Sequence, residues 1–294
     1  MIGVGLIGGS AALALRRRGV VQHVTGIGRT RRNLDDARAA GIIDAAMTLD
    51  EPWTSSLRDA DIVLVATPVG QMPALFTAMA NALGPSTIVT DAGSTKQDVV
   101  AAARAHLGGA LPRFVPAHPV AGTENSGAKA ATASLFDDRN VIVSPIDETD
   151  AHALARVREL WQACGASVVE LDARQHDRVL AAVSHLPHLL AAAYVADLAV
   201  RADAANLFAQ AGTGFRDFTR IAGASPEMWR DITLANLDAL VDELASFRGA
   251  LDVVEAALRE RDGESLRTLF ETASESRRAW ARGRGGEPSG EGDA

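Results

Sequence analysis

The sequence predicts an α/β chain, with alternating strands and helices in its first half and helices alone in its second. Three observations carry this. Glycines 3, 5 and 8 form G-x-G-x-x-G between an opening strand and a helix, the spacing of a dinucleotide-binding turn. Runs such as IVLVAT at 62–67 are apolar and β-branched, as parallel strands covered on both faces must be. Beyond Asp150 the pattern changes to long helical segments. The fold class is therefore α/β: an N-terminal Rossmann-type dinucleotide-binding domain followed by an all-helical C-terminal domain.

Taken in order, IGVG opens the sheet and is followed by a helix over about 10–18, the strand VTGIG at 24–28 and a helical stretch at 34–40. Only Met1 to Val4 precede the tight turn, short of the roughly five or six residues of an ordinary strand. Either this strand is short or the native chain begins upstream, and the second reading is preferred. TIVTDAG from Thr87, FVPAHP from Phe114 and VIVSP from Val141 continue the sheet. SVVE at 167–170 and the turn-rich AGTGFRDF from Ala211 interrupt the helices that follow. The expected domains are 1–150 for dinucleotide binding, a connecting segment at 151–172 and a helical domain at 173–282. The closing GRGGEPSGEGDA, 283–294, is glycine-rich and polar, as a disordered tail is.

A chain of 294 residues with 47% hydrophobic side chains is long enough for two cores. Its formal charge of -8 argues against a broad nucleic-acid or membrane footprint. The single cysteine, Cys164, has no partner in the chain, which suits a reduced, cytoplasmic setting. No apolar run reaches the roughly 20 residues of a membrane span, since LLAAAYVADLAV at 189–200 is broken by Asp197. The first residues also lack the basic and apolar stretches of a secretory signal.

Each glycine of the opening turn has a task. Gly3 permits the tight turn, Gly5 leaves room for a pyrophosphate, and Gly8 lets the helix approach the sheet. The unpaired N–H groups at the helix start, around Leu6 and Ile7, then face the phosphates. At the end of the second strand, where an acidic residue would bind the ribose of NAD, the chain carries Arg29, Thr30, Arg31 and Arg32. A phosphate clamp by Arg29, helped by Thr30 and Arg31, favours NADP. The same arginines also suit a solvated turn or stacking on adenine, so NAD stays possible. Asp35 and Asp36 fall inside the following helix.

Three further stretches follow predicted parallel strands, where doubly wound sheets hold their ligands. They are TPVGQM with Thr67 and Pro68, DAGSTKQDV with Ser94, and HPVAGTENSG with His118. Proline, glycine and a hydroxyl residue follow His118, placing it on a turn as a candidate catalytic group or as a buried structural histidine. His185 and His188 flank Pro187 with no third ligand set by spacing, so no metal is expected. His185 reads as structural, near the start of a helix. Met228 and Trp229 suit an apolar wall or an ordinary core equally.

The combination GLIGGS, DAGSTK, HPVAGTENSG, VSHLPH and GFRDFTRIA followed by MWRDI resembles the prephenate dehydrogenase family, which includes the arogenate-using enzymes. The likeness runs from the first glycine to about Trp280. It implies oxidation of the ring C4 alcohol of prephenate or arogenate with loss of the ring carboxylate, giving 4-hydroxyphenylpyruvate or tyrosine. Loss of carbon dioxide returns electrons to the ring as it becomes aromatic. The resemblance assigns His118 as proton acceptor for the alcohol and Ser94 as a second contact to that hydroxyl. It assigns Arg220 to the substrate side-chain carboxylate, His188 to substrate binding, and Thr123 and Glu124 to the pocket mouth. Asp217, three residues before Arg220, would orient or gate it if that segment is helical; a helix cap is its other reading, and Arg216 faces solvent.

The resemblance also implies a homodimer built on the helical domains, with tyrosine inhibition at the active site as a further possibility. Fused mutase or regulatory domains, which some members carry, do not fit a chain with its glycine turn at the start and a short polar tail. Two other readings compete: another two-domain NADP-dependent oxidoreductase, which would not require HPVAGTE together with DFTR, and a non-catalytic cofactor sensor.

Overall fold

A computed structural model of the chain describes residues 1–123, Asn125 and 127–283. The first helix, α1 (Leu6–Arg17), leaves the glycine turn and leads to β1 (Thr25–Gly28), α2 (Arg31–Ala39) and β2 (Ala45–Thr48). β3 (Ile62–Val65), α3 (Met72–Met79), β4 (Ile88–Asp91), α4 (Gln97–His106) and β5 (Phe114–Val115) follow. β1 pairs with β2, and β3, β4 and β5 pair in that order, all parallel. The opening strand is reduced to Ile2, which bridges Ile27 on one side and Val65 on the other. The order is therefore β2, β1, Ile2, β3, β4, β5, a doubly wound sheet with the chain start at its centre.

Period-2 alternation explains why these strands read as continuous apolar runs. Val63 and Val65 face a cluster containing Phe76, Val89 and Phe114, while Leu64 and Ile88 face the opposite cluster with Ala11, Ala14 and Trp161. Both faces are covered, so both sets are apolar. α1 begins at Leu6 rather than near residue 10, because Leu6 and Ile7 belong to its first turn. α2 likewise begins at Arg31, three residues before the expected stretch.

Pro116 ends the parallel sheet. Beyond it β6 (Ala117–Pro119) pairs antiparallel with β7 (Asn140–Val143), and β7 pairs parallel with β8 (Ser167–Glu170) after α5 (Ala151–Ala163). This corrects the expectation that FVPAHP and VIVSP extend one parallel sheet. His118 lies within a strand, buried, and not on a turn.

The helical part opens with α6 (Ala173–Leu180), a π turn at Ala181–His185 and α7 (Leu186–Ala199). Together they make a 27-residue helix containing an 18-residue window of mean hydropathy 1.6, which would suit a membrane crossing by length and composition and which the separate apolar runs do not anticipate. Its first two turns bury His176 and Asp177 completely, and both are hydrogen-bonded to the sheet domain. α8 (Ala204–Ala209), α9 (Thr213–Thr219), α10 (Pro226–Ala235), α11 (Leu237–Glu260) and α12 (Gly263–Gly283) complete the chain. The segment expected to be turn-rich is the helix α9, capped by Gly212.

The residues form two compact units, Met1–Leu240 and a second beginning at Val241. All candidate site residues lie in the first. Most of the expected tail, 284–294, lies outside the described residues, and Gly283 ends α12.

Candidate active site

The glycine turn is built as its spacing requires. Gly3 sits at φ +94°, and a Cβ there would meet the Ala66 carbonyl oxygen at 2.3 Å. A Cβ on Gly8 would strike the Gly3 oxygen at 2.3 Å, so α1 can approach the sheet only without a side chain there. Gly5 differs: a Cβ would meet nothing within 4 Å. It is the N-cap of α1, which has no side-chain cap and no acid in its first turn, leaving its N–H groups toward the phosphate region. At the end of β3, Thr67 Oγ1 is buried without a hydrogen-bond partner among the described residues, and half-buried Pro68 follows. An open cradle at Gly5, free helix N–H groups and an orphaned hydroxyl fit a dinucleotide. Gly5→Ala should therefore keep stability within about 0.5 kcal/mol of the parent while raising the cofactor Kd at least about tenfold. Thermal unfolding and a cofactor titration check this, and unchanged affinity would remove Gly5 from the cradle.

Arg29 and Thr30 are exposed at the end of β1, with Thr30 at the N-cap of α2. Arg31 is engaged elsewhere, donating to Glu51 Oε1 at 2.6 Å and the Ala46 carbonyl at 3.3 Å.

Opposite the turn, the ends of β4 and β6 meet α6. Asp91, the last residue of β4, is fully buried and binds Lys96 Nζ at 2.6 Å, with neither side chain exposed. The same carboxylate accepts from Gly93 N at 2.7 Å and Ala117 N at 3.0 Å, tying the GSTK loop to the strand that carries His118. His118 Nδ1 is 2.8 Å from His176 Nε2, and His176 Nδ1 is 2.8 Å from Asp177 Oδ1. Asp177 also accepts the backbone N–H groups of Lys96 at 2.8 Å and Gln97 at 2.9 Å. Burial raises the Asp177 carboxyl, but its hydrogen bonds from His176 and these backbone groups outweigh that and keep its pKa below the ordinary value. Burial lowers His118 well below the ordinary histidine range, with His176 and the Lys96 charge adding to the effect.

His185 is buried, and its Nδ1 lies 3.0 Å from Asn236 Nδ2, which in turn donates to the Asp177 carbonyl. Desolvation pushes its pKa down to about 4. His188, half-buried, pairs through Nδ1 with the Ser184 carbonyl at 3.0 Å and stacks on Trp229 with ring centroids 3.7 Å apart. Trp229 thus covers one face of the His188 ring, whereas Met228 is exposed. Burial lowers the His188 pKa, and the Arg220 charge lowers it further; the turn Arg220–Gly223 packs against α7, which carries His188. Ser94 is half-buried in the loop between β4 and α4.

Asp217 is exposed inside α9 and Arg220 follows at its C-cap. The segment is thus helical, as orientation of one by the other requires, and Gly212 rather than Asp217 caps it. Thr123 is exposed and accepts from Asn125 N at 3.2 Å. Glu124 lies outside the described residues.

The residues that sequence reading missed are Lys96, Asp91, His176 and Asp177. Their signal was present. In ARQHDRVL, His176, Asp177 and Leu180 fall on one buried helix face, and titratable groups in an apolar stripe need partners.

Three buried histidines held neutral have a consequence for stability. Their folded pKa values lie below the ordinary value of about 6.5, so the unfolded chain binds protons first as the pH falls. Stability is expected to be full above about pH 6.5 and to decline below it, for His185 down to about pH 4. Urea unfolding at successive pH values measures this, and a flat profile between 7 and 5 would contradict it.

The model of the prephenate dehydrogenase nucleotide-binding domain matches residues 11–170, and that of the prephenate dehydrogenase dimerization domain matches 172–272. The chain is 34% identical over 279 residues to a prephenate dehydrogenase of Bacillus subtilis, covering 94% of this chain and 74% of that protein. It is 34% identical over 281 residues to a cyclohexadienyl dehydrogenase of Zymomonas mobilis, covering 95% and 94%. Among solved structures, the Aquifex aeolicus prephenate dehydrogenase in complex with hydroxyphenyl propionate and NAD+ superposes with a TM-score of 0.86 at 33% identity, covering 95% of this chain and 96% of that one. The arogenate dehydrogenase of Synechocystis gives 0.78 at 28%, covering 95% and 98%. Matched by both family models and by relatives 34% identical over nearly its whole length, the chain belongs to the prephenate dehydrogenase family and is an NAD(P)-dependent dehydrogenase of the oxidative decarboxylation in tyrosine biosynthesis.

Proposed function

We propose that this chain accepts prephenate, arogenate or both, and that His118 is the group that takes the proton of the ring C4 hydroxyl. The observation that carries the assignment is the His118 ring itself. Its Nδ1 is occupied by His176, so Nε2 is the nitrogen left to meet a substrate hydroxyl, and burial keeps the ring in the neutral form that can accept a proton. Ser94 is the second group at that hydroxyl. Arg220 receives the side-chain carboxylate through its planar fork, with His188 beside it on the Trp229 face. Thr123 and Glu124 are assigned to the mouth of the pocket, and Asp217 to orienting or gating Arg220.

NAD(P), when bound, supplies the hydride acceptor. The residues that would hold it are Gly3, Gly5, Leu6, Ile7 and Gly8 at the turn, Thr67 and Pro68 at the end of β3, and Arg29 and Thr30 at the end of β1. NADP is the preferred form in this reading, resting on Arg29 and Thr30, since Arg31 would have to exchange its Glu51 contact to join them. Arg29→Ala should lower kcat/KM with NADP about tenfold or more, the worth of one charge-assisted hydrogen bond, and change kcat/KM with NAD less than threefold. Equal losses with both cofactors would remove the phosphate clamp.

The domain reading is 1–150, a connecting segment 151–172 and a helical substrate and dimerisation domain 173–282. Exposed apolar side chains on the helices, among them Tyr194, Phe218 and Phe270, support a homodimer. A cytoplasmic enzyme subject to tyrosine inhibition at the active site completes the proposal. The test is initial-rate reduction of NADP and of NAD, each with prephenate and with arogenate, while the aromatic product is followed. Turnover in any pairing identifies the substrate and cofactor preferences, and no turnover in all four by folded protein that binds cofactor would overturn the substrate assignment.

A further inference from the structure

We propose that His176 and Asp177 form a positioning pair that fixes the tautomer of His118, leaving its Nε2 unprotonated toward the substrate. The proposal rests on His118 being the proton acceptor, and its argument is one of donors and acceptors. Asp177 accepts from Lys96 N and Gln97 N and is an acceptor only. The bond from His176 Nδ1 to Asp177 Oδ1 therefore needs the His176 proton on Nδ1. A neutral imidazole with Nδ1–H has Nε2 as its acceptor, so the 2.8 Å contact to His118 is filled by a proton on His118 Nδ1. That leaves the lone pair of His118 on Nε2, the nitrogen that must receive the hydroxyl proton.

The packing leaves no cheap alternative. His176 and Asp177 are fully buried and His118 nearly so, and inverting the chain would place two donors or two acceptors face to face at some link. The other charged and titratable groups around the pair are Lys96 and Asp91, matched to each other, His185, bonded to Asn236, and the largely buried Asp98, which feels the charges of Lys96 and Asp177 but makes no hydrogen bond to the pair among the described residues. The backbone bonds to Asp177 span the junction between the GSTK loop and α6, so the docking of the helical part onto the sheet sets the protonation geometry of the base. A tautomer chosen by a buried carboxylate through an intervening ring is the role an aspartate plays toward a catalytic histidine elsewhere, lengthened here by one imidazole.

The experiment uses the full chain labelled with 15N-histidine. Two-bond ring correlations read the tautomer of each histidine, and His118→Asn identifies the His118 signals. The wild type is expected to show His118 protonated on Nδ1. In His176→Phe the signal should move to the Nε2-protonated form, and kcat should fall about 100-fold while KM and cofactor Kd stay within about twofold. His176→Gln, whose carbonyl can accept the same bond, should restore the Nδ1 tautomer and at least tenfold of the lost turnover. An Nε2-protonated His118 in the wild type overturns the proposal without any variant having to fold, as does a folded His176→Phe with near-parent kcat. Failure of the base assignment is distinguishable, because it appears as persistent turnover in His118→Asn whatever the tautomer.

Discussion

His118→Asn is expected to lower kcat by about 10²–10⁴-fold, the worth of a positioned proton acceptor, while cofactor affinity changes little. Asparagine is close in size to the front of the imidazole and keeps a polar group in the buried strand β6, so the fold should persist. What it loses is the ability to hold the proton that leaves the substrate hydroxyl. The wild-type pH profile belongs to the same prediction. Burial lowers the His118 pKa well below the ordinary histidine value, so the ring is already neutral at pH values where an exposed histidine would be charged. The acid limb of kcat/KM should therefore lie below about pH 6.5. Steady-state rates for parent and variant over pH 5 to 9 check both. A variant retaining a third or more of the parent kcat at saturation would show that another group takes the proton.

Lys96→Met is expected to cost about 3–5 kcal/mol of stability, the penalty for leaving a buried charge without its partner. Lys96 and Asp91 are wholly excluded from solvent and 2.6 Å apart. Methionine fills most of the lysine volume, so the loss isolates the charge rather than a cavity. The uncompensated Asp91 carboxylate would still accept from Gly93 N and Ala117 N, so damage should reach the GSTK loop and the strand bearing His118. The double variant Lys96→Met with Asp91→Asn should recover part of the loss, since the partner is then neutral as well. Denaturant unfolding of the two singles and the double measures the coupling. A Lys96→Met protein within about 1 kcal/mol of the parent would mean that the pair is not what holds these strand ends together.

The parts of the fold readable in the chain are those set by neighbours in sequence. The turn at Gly3, Gly5 and Gly8 follows from backbone freedom and close approach, and the structure leaves no room for a side chain at Gly3 or Gly8, as that spacing predicts. IVLVAT and TIVTDAG are strands because both faces are apolar. β2 escaped notice because AAMT is short and only partly buried, with no run or alternation to mark it. AGTGFRDF reads as turns through its two glycines, yet Gly212 caps a helix there. Helices shorter than about 12 residues depend on packing rather than on intrinsic propensity.

The candidate site divides in the same way. His118, Ser94, His188 and Arg220 could be named from motifs in the chain, and a dinucleotide could be assigned from the first eight residues. The pairing direction of β6 could not, because local pattern does not say which strand lies alongside. Nor could the links from His118 to His176 and from Asp177 to Lys96, which join residues 58 and 81 positions apart. By itself the sequence determined the kind of chemistry present, through side-chain types and short-range backbone geometry. Only the tertiary structure decided which buried groups of that chemistry pair with one another, because those partners lie far apart in the chain and meet only once packing has excluded solvent.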